Sequence, residues 1–349
     1  MNNSALRATG VLASLGATIP VIAAPLAGGP STPQLVHAAA EAGGLGFLAA
    51  GYLTTDALAE RIAQTRLLTP RFGVNLFAPN PVPIDSESYA TYAASLQEVA
   101  AAHGLDTAAV PLREDDDEWT GKIELLLAAP VPVVSFTFGI VEARIVQALK
   151  QVGSVTAQSV TTLDEARAAL SAGVDVLVVQ SQLAGGHSAT TTPDTPGEQV
   201  PLPELVRRIR TDTGAPIWAT GGVSQAGQVR EVLAAGAEAV AVGTVLLRTP
   251  ESGASVAYKA ALADPQRVET IVTRSFSGRP ARALRNPFTD RFHDGAPAGY
   301  PALHHLTSPL RKASAAAGDP EYVNLWAGVG WRDATDEPAA RILRRLADR

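Results

Sequence analysis

The stretch GVDVLVVQSQLAGGH at residues 173–187 holds the side chains best suited to chemistry. An apolar run ends at Gln180, and after a short loop come Gly185, Gly186 and His187. Such a run is typical of a buried parallel strand, and α/β folds build their sites at the carboxyl ends of parallel strands. Glycine lets backbone approach a ligand, and the unperturbed pKa of histidine lies near neutrality. The pattern predicts that His187 transfers a proton or polarises a substrate.

Two further pairs of small residues lie at later strand ends. Gly221 and Gly222 end the seventh predicted strand, and Gly243 and Thr244 lie in the eighth. Loops after these strands of an α/β barrel often bind phosphate through backbone N–H groups and a helix N-terminus. Tight turns and close helix packing are the alternative for each pair alone. Their joint occurrence favours a phosphate site, with Ser224 predicted to cap the next helix.

The first and third strands offer space and amide groups. Small residues in Ala23–Gly29 leave room for a flat ligand at the barrel mouth. Asn75 and Gln180 each carry a donor and an acceptor, which suits a heterocycle edge with both N–H and C=O. For Asn75, an amide that is satisfied within the fold is the alternative.

Composition excludes several function classes. The chain has 349 residues, a net charge of −6 and no cysteine. Its charges are interspersed, so no basic stripe indicates a nucleic-acid partner. Without cysteine there can be no disulfide, thiolate metal site or cysteine nucleophile, which fits a reducing cytoplasm. No HExxH motif or carboxylate–histidine spacing predicts a metal site.

The apolar N-terminal stretch at residues 11–28 has two interpretations. It follows a single arginine, Arg7, and a signal peptide has a comparable pattern. Pro20 and Pro25 interrupt it, and we therefore expect an ordered segment that leads into the first strand. No uninterrupted apolar run is long enough to span a bilayer, so no membrane partner is expected.

The elements that must position these residues alternate regularly. The predicted strands cover residues 20–28, 44–51, 71–79, 132–139, 154–160, 174–181, 215–222 and 239–247. Helical segments lie between them. The spacing of Thr162 and Glu165 predicts a capping box, and helix ends are expected at Gly43, Gly153, Gly173 and Gly236. Eight β-α units predict the α/β class and a (β/α)8 TIM barrel.

Two regions exceed the minimal barrel. The third connection, residues 80–131, is enlarged and should hold two helices. We predict a barrel over residues 1–248, a small helical subdomain inserted after strand eight over residues 249–325, and a closing helix within residues 326–349. The inserted segment is predicted to be a lid; a helical packing cap is the alternative.

Ordered blocks along nearly the whole chain resemble the nitronate monooxygenase family. The blocks are PVIAAPLAGG, FGVNLF, VPVVSFTFG, VVQSQLAGGH, ATGGV, VGTVLL, RSFSGRPAR and YPALHHLTSPLR. The resemblance implies an enzyme: an FMN-binding (β/α)8 barrel that oxidises alkyl nitronates, and by extension nitroalkanes, with O2 to a carbonyl compound and nitrite. It also implies that His187 is the catalytic histidine beside the flavin.

The resemblance further implies which residues hold FMN. They are Ala24, Pro25, Leu26, Asn75, Gln180, Gly185, Gly186, Gly222, Gly243 and Thr244, with Gly221 added from the phosphate pattern. FMN is expected rather than FAD, because the sequence predicts one phosphate site. In the lid, Tyr300 offers apolar area, while His304 and Arg311 offer donors for an anionic nitro group.

One segment departs from the family pattern. Ser188 and Ala189 follow the histidine where relatives usually carry Arg-Gly, and a threonine-rich loop runs on to Pro196. Residues 181–184 read Ser-Gln-Leu-Ala where many relatives have Gly-x-Glu-Ala. These changes leave the implied FMN contacts in place and alter the loop that would border the substrate.

Two rival functions remain open at this point. An NAD(P)H-dependent flavin reductase, of the enoyl-acyl-carrier-protein or quinone type, would share the barrel motifs. A non-enzymatic flavin-binding protein belongs to a different class, and His187 beside two glycines argues against it. Fold analogy alone does not decide between them.

Overall fold

Eight parallel strands close into a barrel, as predicted. The computed structural model describes residues 5–195, 197 and 199–348, so Pro196 of the threonine-rich loop lies outside the described residues. The barrel strands are β1 (Val21–Ala23), β2 (Leu45–Ala49), β3 (Phe72–Ala78), β4 (Val133–Phe138), β5 (Val155–Val160), β6 (Val176–Gln180), β8 (Ile217–Thr220) and β9 (Ala239–Val242). The short strand β7 (Gly186–His187) lies outside the barrel. Closure comes from parallel pairing of β1 with β9, in register Val21 with Val240.

Amphipathic helices cover the outside of the barrel and its C-terminal extension. They are α1 (Gly10–Ser14), α2 (Pro33–Glu41), α3 (Thr55–Leu68), α4 (Ser86–Ala102), α5 (Trp119–Ala128), α6 (Ala143–Gln151), α7 (Leu163–Ser171), α8 (Leu202–Thr213), α9 (Ala226–Ala234), α10 (Val256–Ala263), α11 (Pro287–Phe292), α12 (Ala302–Ala316) and α13 (Ala339–Leu346). In the described part of the chain, none of them has the length and apolar character needed to cross a membrane.

The helix ends confirm most of the predicted punctuation. Gly43, Gly153, Gly173 and Gly236 each follow a helix with φ between 92° and 111°. A side chain would strain this backbone, which is why glycine ends these helices. The first and eighth predicted strands were too long: β1 ends at Ala23, β9 ends at Val242, and a 3₁₀ turn begins directly after Gly243.

Two capping predictions need correction. The Thr162 hydroxyl accepts from the Glu165 N–H at 3.2 Å, as expected, but the Glu165 carboxylate binds Thr161 rather than closing the box. Ser224 does not cap α9. Its hydroxyl donates to the Asp333 carboxylate at 2.6 Å, and Gln225 is the N-cap.

The enlarged third connection holds α4 and α5, the two predicted helices, and a 3₁₀ turn between them. An acidic run at residues 114–118 anchors the connection to the barrel. The Asp117 carboxylate accepts from the Tyr52 N–H at 2.8 Å and pairs with Lys122 at 2.7 Å. Lys122 is 1% exposed, so this pair is shielded from water.

The segment after β9 contains a β-hairpin that the predicted helical subdomain lacks. Strands β10 (Thr270–Thr273) and β11 (Ala281–Leu284) are antiparallel, and β11 also pairs with β7. Both hairpin strands are four residues long, too short for a periodic pattern in the sequence. Helices α10, α11 and α12 complete this segment.

The last helix returns to the barrel. α13 packs against α2, β1 and α9, next to the β1–β9 closure. Its inward face includes Ile342 and Leu343, which are 1% and 0% exposed. The helix therefore covers the junction between the first and last barrel strands.

We expect Leu343→Ala to lower the free energy of unfolding by about 2–5 kcal/mol, since a fully buried leucine leaves a cavity. Denaturant unfolding of the wild type and the variant measures the loss. The exposed neighbour Arg341→Ala is the control and should stay within about 0.5 kcal/mol of wild type. Equal, small effects of both changes would mean that α13 does not stabilise the barrel.

Candidate active site

The predicted site residues gather at the carboxyl ends of the barrel strands. His187 lies in β7, shortly after β6, and pairs in antiparallel register with Ala281 of β11. Gly186 has φ of 77°, a left-handed conformation that favours glycine. The position of His187 is therefore set by a strand from the C-terminal segment as well as by the barrel.

Gln180 holds the loop that carries His187. Its Nε2 donates to the His187 carbonyl at 3.3 Å, and its Oε1 accepts from the Ala189 N–H at 2.8 Å. The Gln180 side-chain amide thus makes two hydrogen bonds to the loop backbone, one as donor and one as acceptor, as a neighbouring strand would. One N–H and one lone pair remain for the predicted contact with a heterocycle.

Aromatic rings surround the imidazole of His187. The ring centroids of Phe138, Tyr300 and Trp326 lie 5.7, 5.8 and 5.3 Å from that of His187. Nε2 of His187 contacts the Ser277 hydroxyl at 2.8 Å. Nδ1 makes no hydrogen bond with the described residues, so it is the ring atom free for a ligand.

The electrostatic surroundings keep His187 neutral. Burial, and after it the nearby cations Arg279 and Arg311, lower the pKa of His187 to about 3. Arg279 is fully buried, and its guanidinium carbon lies 4.1 Å from the centre of the Phe138 ring. Its Nη1 donates to the Asn80 carbonyl at 3.1 Å. Sequence reasoning missed Arg279, although its RSFSGRPAR block was part of the family resemblance.

A second cluster lies beside the first. Arg311 donates from Nη2 to the His304 carbonyl at 2.8 Å, and the His304 ring stacks on Tyr52 with centroids 3.8 Å apart. Burial holds the pKa of His304 well below its usual range, so this ring is also neutral. Of the predicted substrate residues, Tyr300 touches His187, whereas His304 and Arg311 belong to the Tyr52 cluster.

These contacts leave the site positively charged. Among the described residues, no carboxylate lies within ion-pair distance of Arg279 or Arg311. Burial lowers the pKa of both guanidinium groups only to about 10, so they stay charged at neutral pH. Buried charges are normally paired. An unpaired positive region next to a neutral histidine favours an anionic ligand.

Gly222 and Gly243 form a cradle at the ends of β8 and β9. In the described chain, neither N–H group has an acceptor. A Cβ at Gly222 would lie 2.9 Å from Leu183, and one at Gly243 would lie 2.8 Å from Leu26. Two free N–H groups in a space that a side chain would fill fit a phosphate group.

The other predicted cradle residues serve the backbone around it. The Thr244 hydroxyl accepts from the Gly328 N–H at 3.0 Å and keeps its own O–H available to donate. A Cβ at Gly221 would lie 2.6 Å from the Ser181 hydroxyl, so glycine is needed there for packing. Gly185 meets Gly328 in the same way, at 2.4 Å.

Residues 326–330 form a further wall of the site, which the sequence analysis did not predict. The Val329 N–H donates to the Leu183 carbonyl at 3.2 Å, and Trp326 bridges to Ala283 next to β7. The Gly-Val-Gly sequence at residues 328–330 was the signal that could have indicated this segment. This segment packs over the loops that follow β6 and β9.

The first strand ends in an open stretch. Ala24, Pro25 and Leu26 are half-buried at the rim, which leaves space beside their backbone. The Ala24 N–H donates to the Val242 carbonyl at 2.9 Å, and the Leu26 N–H donates to the Ser31 hydroxyl at 2.8 Å. The Ala24 bond fixes the stretch against β9, and the Leu26 bond closes a local turn.

Asn75 has partners within the barrel. Its Nδ2 donates to the hydroxyls of Ser135 and Thr137 at 2.9 and 3.0 Å. Its Oδ1 receives only a long bond of 3.5 Å from Thr137. The Asn75 side chain is thus oriented by β4, and its carbonyl oxygen is the atom left for a ligand.

With this geometry in place, comparison with known proteins decides the family. The nitronate monooxygenase family model matches residues 11–347. The chain belongs to the nitronate monooxygenase family. It is 34% identical over 333 residues to a probable nitronate monooxygenase of Staphylococcus aureus (strain Newman), covering 94% of this chain and 93% of the relative. The protein is therefore an oxidoreductase, in a flavin-dependent family that oxidises nitro compounds.

Solved structures agree with the fold. A nitroalkane oxidase from Streptomyces ansochromogenes is 44% identical, with a TM-score of 0.89 and 94% of each chain covered. FabK from Thermotoga maritima has a TM-score of 0.74 at 23% identity, covering 97% of this chain and 95% of that one. The second likeness shows a shared fold alone.

We expect the ligand-free protein to lose stability as the pH falls below about 6.5. Below this pH, His187 and His304 bind protons in the unfolded chain but stay neutral in the folded protein. Each group contributes a slope of at most about 1.4 kcal/mol per pH unit. Denaturant unfolding between pH 7 and pH 5 should show a shallower loss for His304→Gln. The exposed His293→Gln is the control, and equal slopes for the two variants would contradict a buried neutral His304.

Proposed function

We propose that the protein binds FMN and converts alkyl nitronates and O2 to carbonyl compounds and nitrite. Membership of the nitronate monooxygenase family supports the reaction class. FMN, when bound, would accept electrons from the substrate and pass them to O2. The chain's own residues bind the phosphate, orient the anion and shape the pocket.

The observation that carries the substrate class is the charge of the site. A nitronate is an anion, and it would enter a region where Arg279 and Arg311 have no carboxylate partner among the described residues. Nδ1 of His187 is free to hydrogen-bond the substrate, since Ser277 engages Nε2. Tyr300, Phe138 and Trp326 supply apolar walls for the alkyl part.

The same environment separates nitronates from neutral nitroalkanes. Lowering the pKa of His187 from 6.5 to about 3 weakens the imidazole as a proton acceptor by roughly 5 kcal/mol. Neutral nitroalkanes must lose a proton before oxidation, whereas nitronates have already lost it. We therefore assign His187 to hydrogen bonding of the anion and expect nitronates to be the better substrates.

FMN is the flavin that the cradle supports. Gly222 and Gly243 offer free N–H groups for one phosphate, with the Thr244 O–H beside them. The half-buried backbone of Ala24–Leu26 and the Asn75 and Gln180 amides would face the flavin ring. Gly185 and Gly186 are half-buried and have no side chains, so their loop would lie close to the flavin ring.

We expect Gly222→Ala and Gly243→Ala to raise the dissociation constant of FMN by roughly tenfold or more, equivalent to about 1.4 kcal/mol. Each new methyl group would enter the cradle and press on Leu183 or Leu26. Fluorescence titration of the apo protein measures the change. Gly227→Ala, where a Cβ meets nothing closer than 3.7 Å, is the control. Unchanged affinity in both cradle variants would move the phosphate elsewhere.

We expect His187→Asn to retain FMN and to lower kcat/KM for preformed nitronates by roughly tenfold to a hundredfold, the worth of a hydrogen bond to a charged group. Steady-state O2 uptake measures kcat/KM with nitronates and with neutral nitroalkanes. If activity falls by about 10²–10⁴ with nitroalkanes alone, His187 is a general base instead.

One assay separates this function from its rivals. The visible spectrum of the purified protein shows whether a flavin is bound, and O2 uptake with nitronates is compared with oxidation of NADH and NADPH. Rapid anaerobic bleaching by NADH or NADPH, without nitronate turnover, would establish a flavin reductase. A yellow protein inert to all of these would be a flavin carrier.

A further inference from the structure

A buried carboxylate holds the loop that follows His187. Glu165, in the first turn of α7, is 6% exposed. Its two oxygens accept five hydrogen bonds from neutral donors. The donors are Thr161 N (2.5 Å), Thr161 Oγ1 (2.8 Å), Thr190 Oγ1 (2.8 Å), Thr191 N (2.7 Å) and Thr191 Oγ1 (3.1 Å).

This arrangement exceeds what a helix cap requires. The Thr162 hydroxyl already caps α7. In the described part of the chain, Glu165 has no Lys, Arg or His within ion-pair distance. Burying an ion costs several kcal/mol, and here neutral donors offset that cost. Three of the five donors belong to the loop after His187, so the carboxylate is directed at that loop.

A cation holds the same loop from the other side. Arg279 donates from Nη2 to the Thr190 carbonyl and from Nη1 to the Asn80 carbonyl. The Asn80 amide in turn donates to the Thr191 carbonyl at 2.9 Å. Thr190 therefore lies between a buried anion at its hydroxyl and a buried cation at its carbonyl. This links Glu165 and Arg279 through one residue.

We propose that Glu165 is a positioning residue for His187, acting through Thr190 and Thr191 with Arg279 as the opposing charge. The inference rests on the proposed function of His187. Gln180 fixes the backbone at His187 and Ala189, and Glu165 fixes the next two residues. A displacement of about 1 Å at such a group can lower turnover a hundredfold.

The proposal also explains the threonines of this loop. Two of its threonine hydroxyls bind Glu165. Thr190 and Thr191 thus tie the loop after His187 to Glu165.

The test compares four variants of the full-length flavin-loaded enzyme. Glu165→Gln turns an acceptor into a donor opposite N–H and O–H groups, and Thr190→Val removes one hydroxyl at constant shape. Both should lower kcat/KM for nitronates roughly tenfold to a hundredfold, with FMN affinity unchanged. Thr190→Ser, which keeps the hydroxyl, should retain the activity of the wild type. Glu142→Gln, an exposed carboxylate paired only with Arg144, should leave it unchanged.

Hydrogen exchange provides a readout that does not need turnover. In Glu165→Gln, the peptide containing Ala189 and Thr191 should exchange faster, while peptides of β8 and β9 stay protected. If exchange rises everywhere, Glu165 only stabilises the fold, and the proposal is overturned. Faster loop exchange without nitronate turnover in the wild type would instead contradict the proposed function and leave the anchoring intact.

A double-mutant cycle tests the opposing charge. We measure kcat/KM for the wild type, Glu165→Gln, Arg279→Met and the double variant. If both act through Thr190, the double variant should be no more than about twofold worse than the poorer single variant, because one displacement has already occurred. Full multiplication of the two losses would show that they act independently.

Discussion

Pairing of β1 with β9 is the constraint on which the site depends. Closure of a parallel barrel brings all strand carboxyl ends to one rim. Residues separated by more than two hundred positions in the chain, such as Ala24 and Gly243, thereby become neighbours. A Cβ at Gly243 would lie 3.8 Å from that of Ala24, which shows how close the two ends are. Every proposed ligand contact requires this closure.

Charge is the second organising property. His187 is neutral, two guanidinium groups beside it are unpaired among the described residues, and the buried Glu165 carboxylate is satisfied by hydroxyl and amide donors. Phe138 lies between the histidine and Arg279 and has φ of 84°. Such a backbone conformation is strained for a bulky residue and is found where function requires it. The site is thus organised for an anion before any ligand arrives.

The barrel was predictable because every strand combined a short apolar run with turn residues, and four helix ends carried glycine. The hairpin β10–β11 was not, because its strands are short and its partner β7 lies about ninety positions earlier. Local spacing also misled: Glu165 matched a capping box and yet holds the threonine loop. Arg279 has no local signal, since its importance comes from burial and from contacts with two distant loops.

The pairing of β7 with β11 has a consequence for the order of assembly. During translation, all eight barrel strands have been synthesised by Val242, whereas Ser277, β11 and Trp326 are synthesised later. The histidine is therefore synthesised early and reaches its final orientation only when the C-terminal third has folded onto it. The proposed catalytic centre can therefore be complete only after Trp326 has been synthesised.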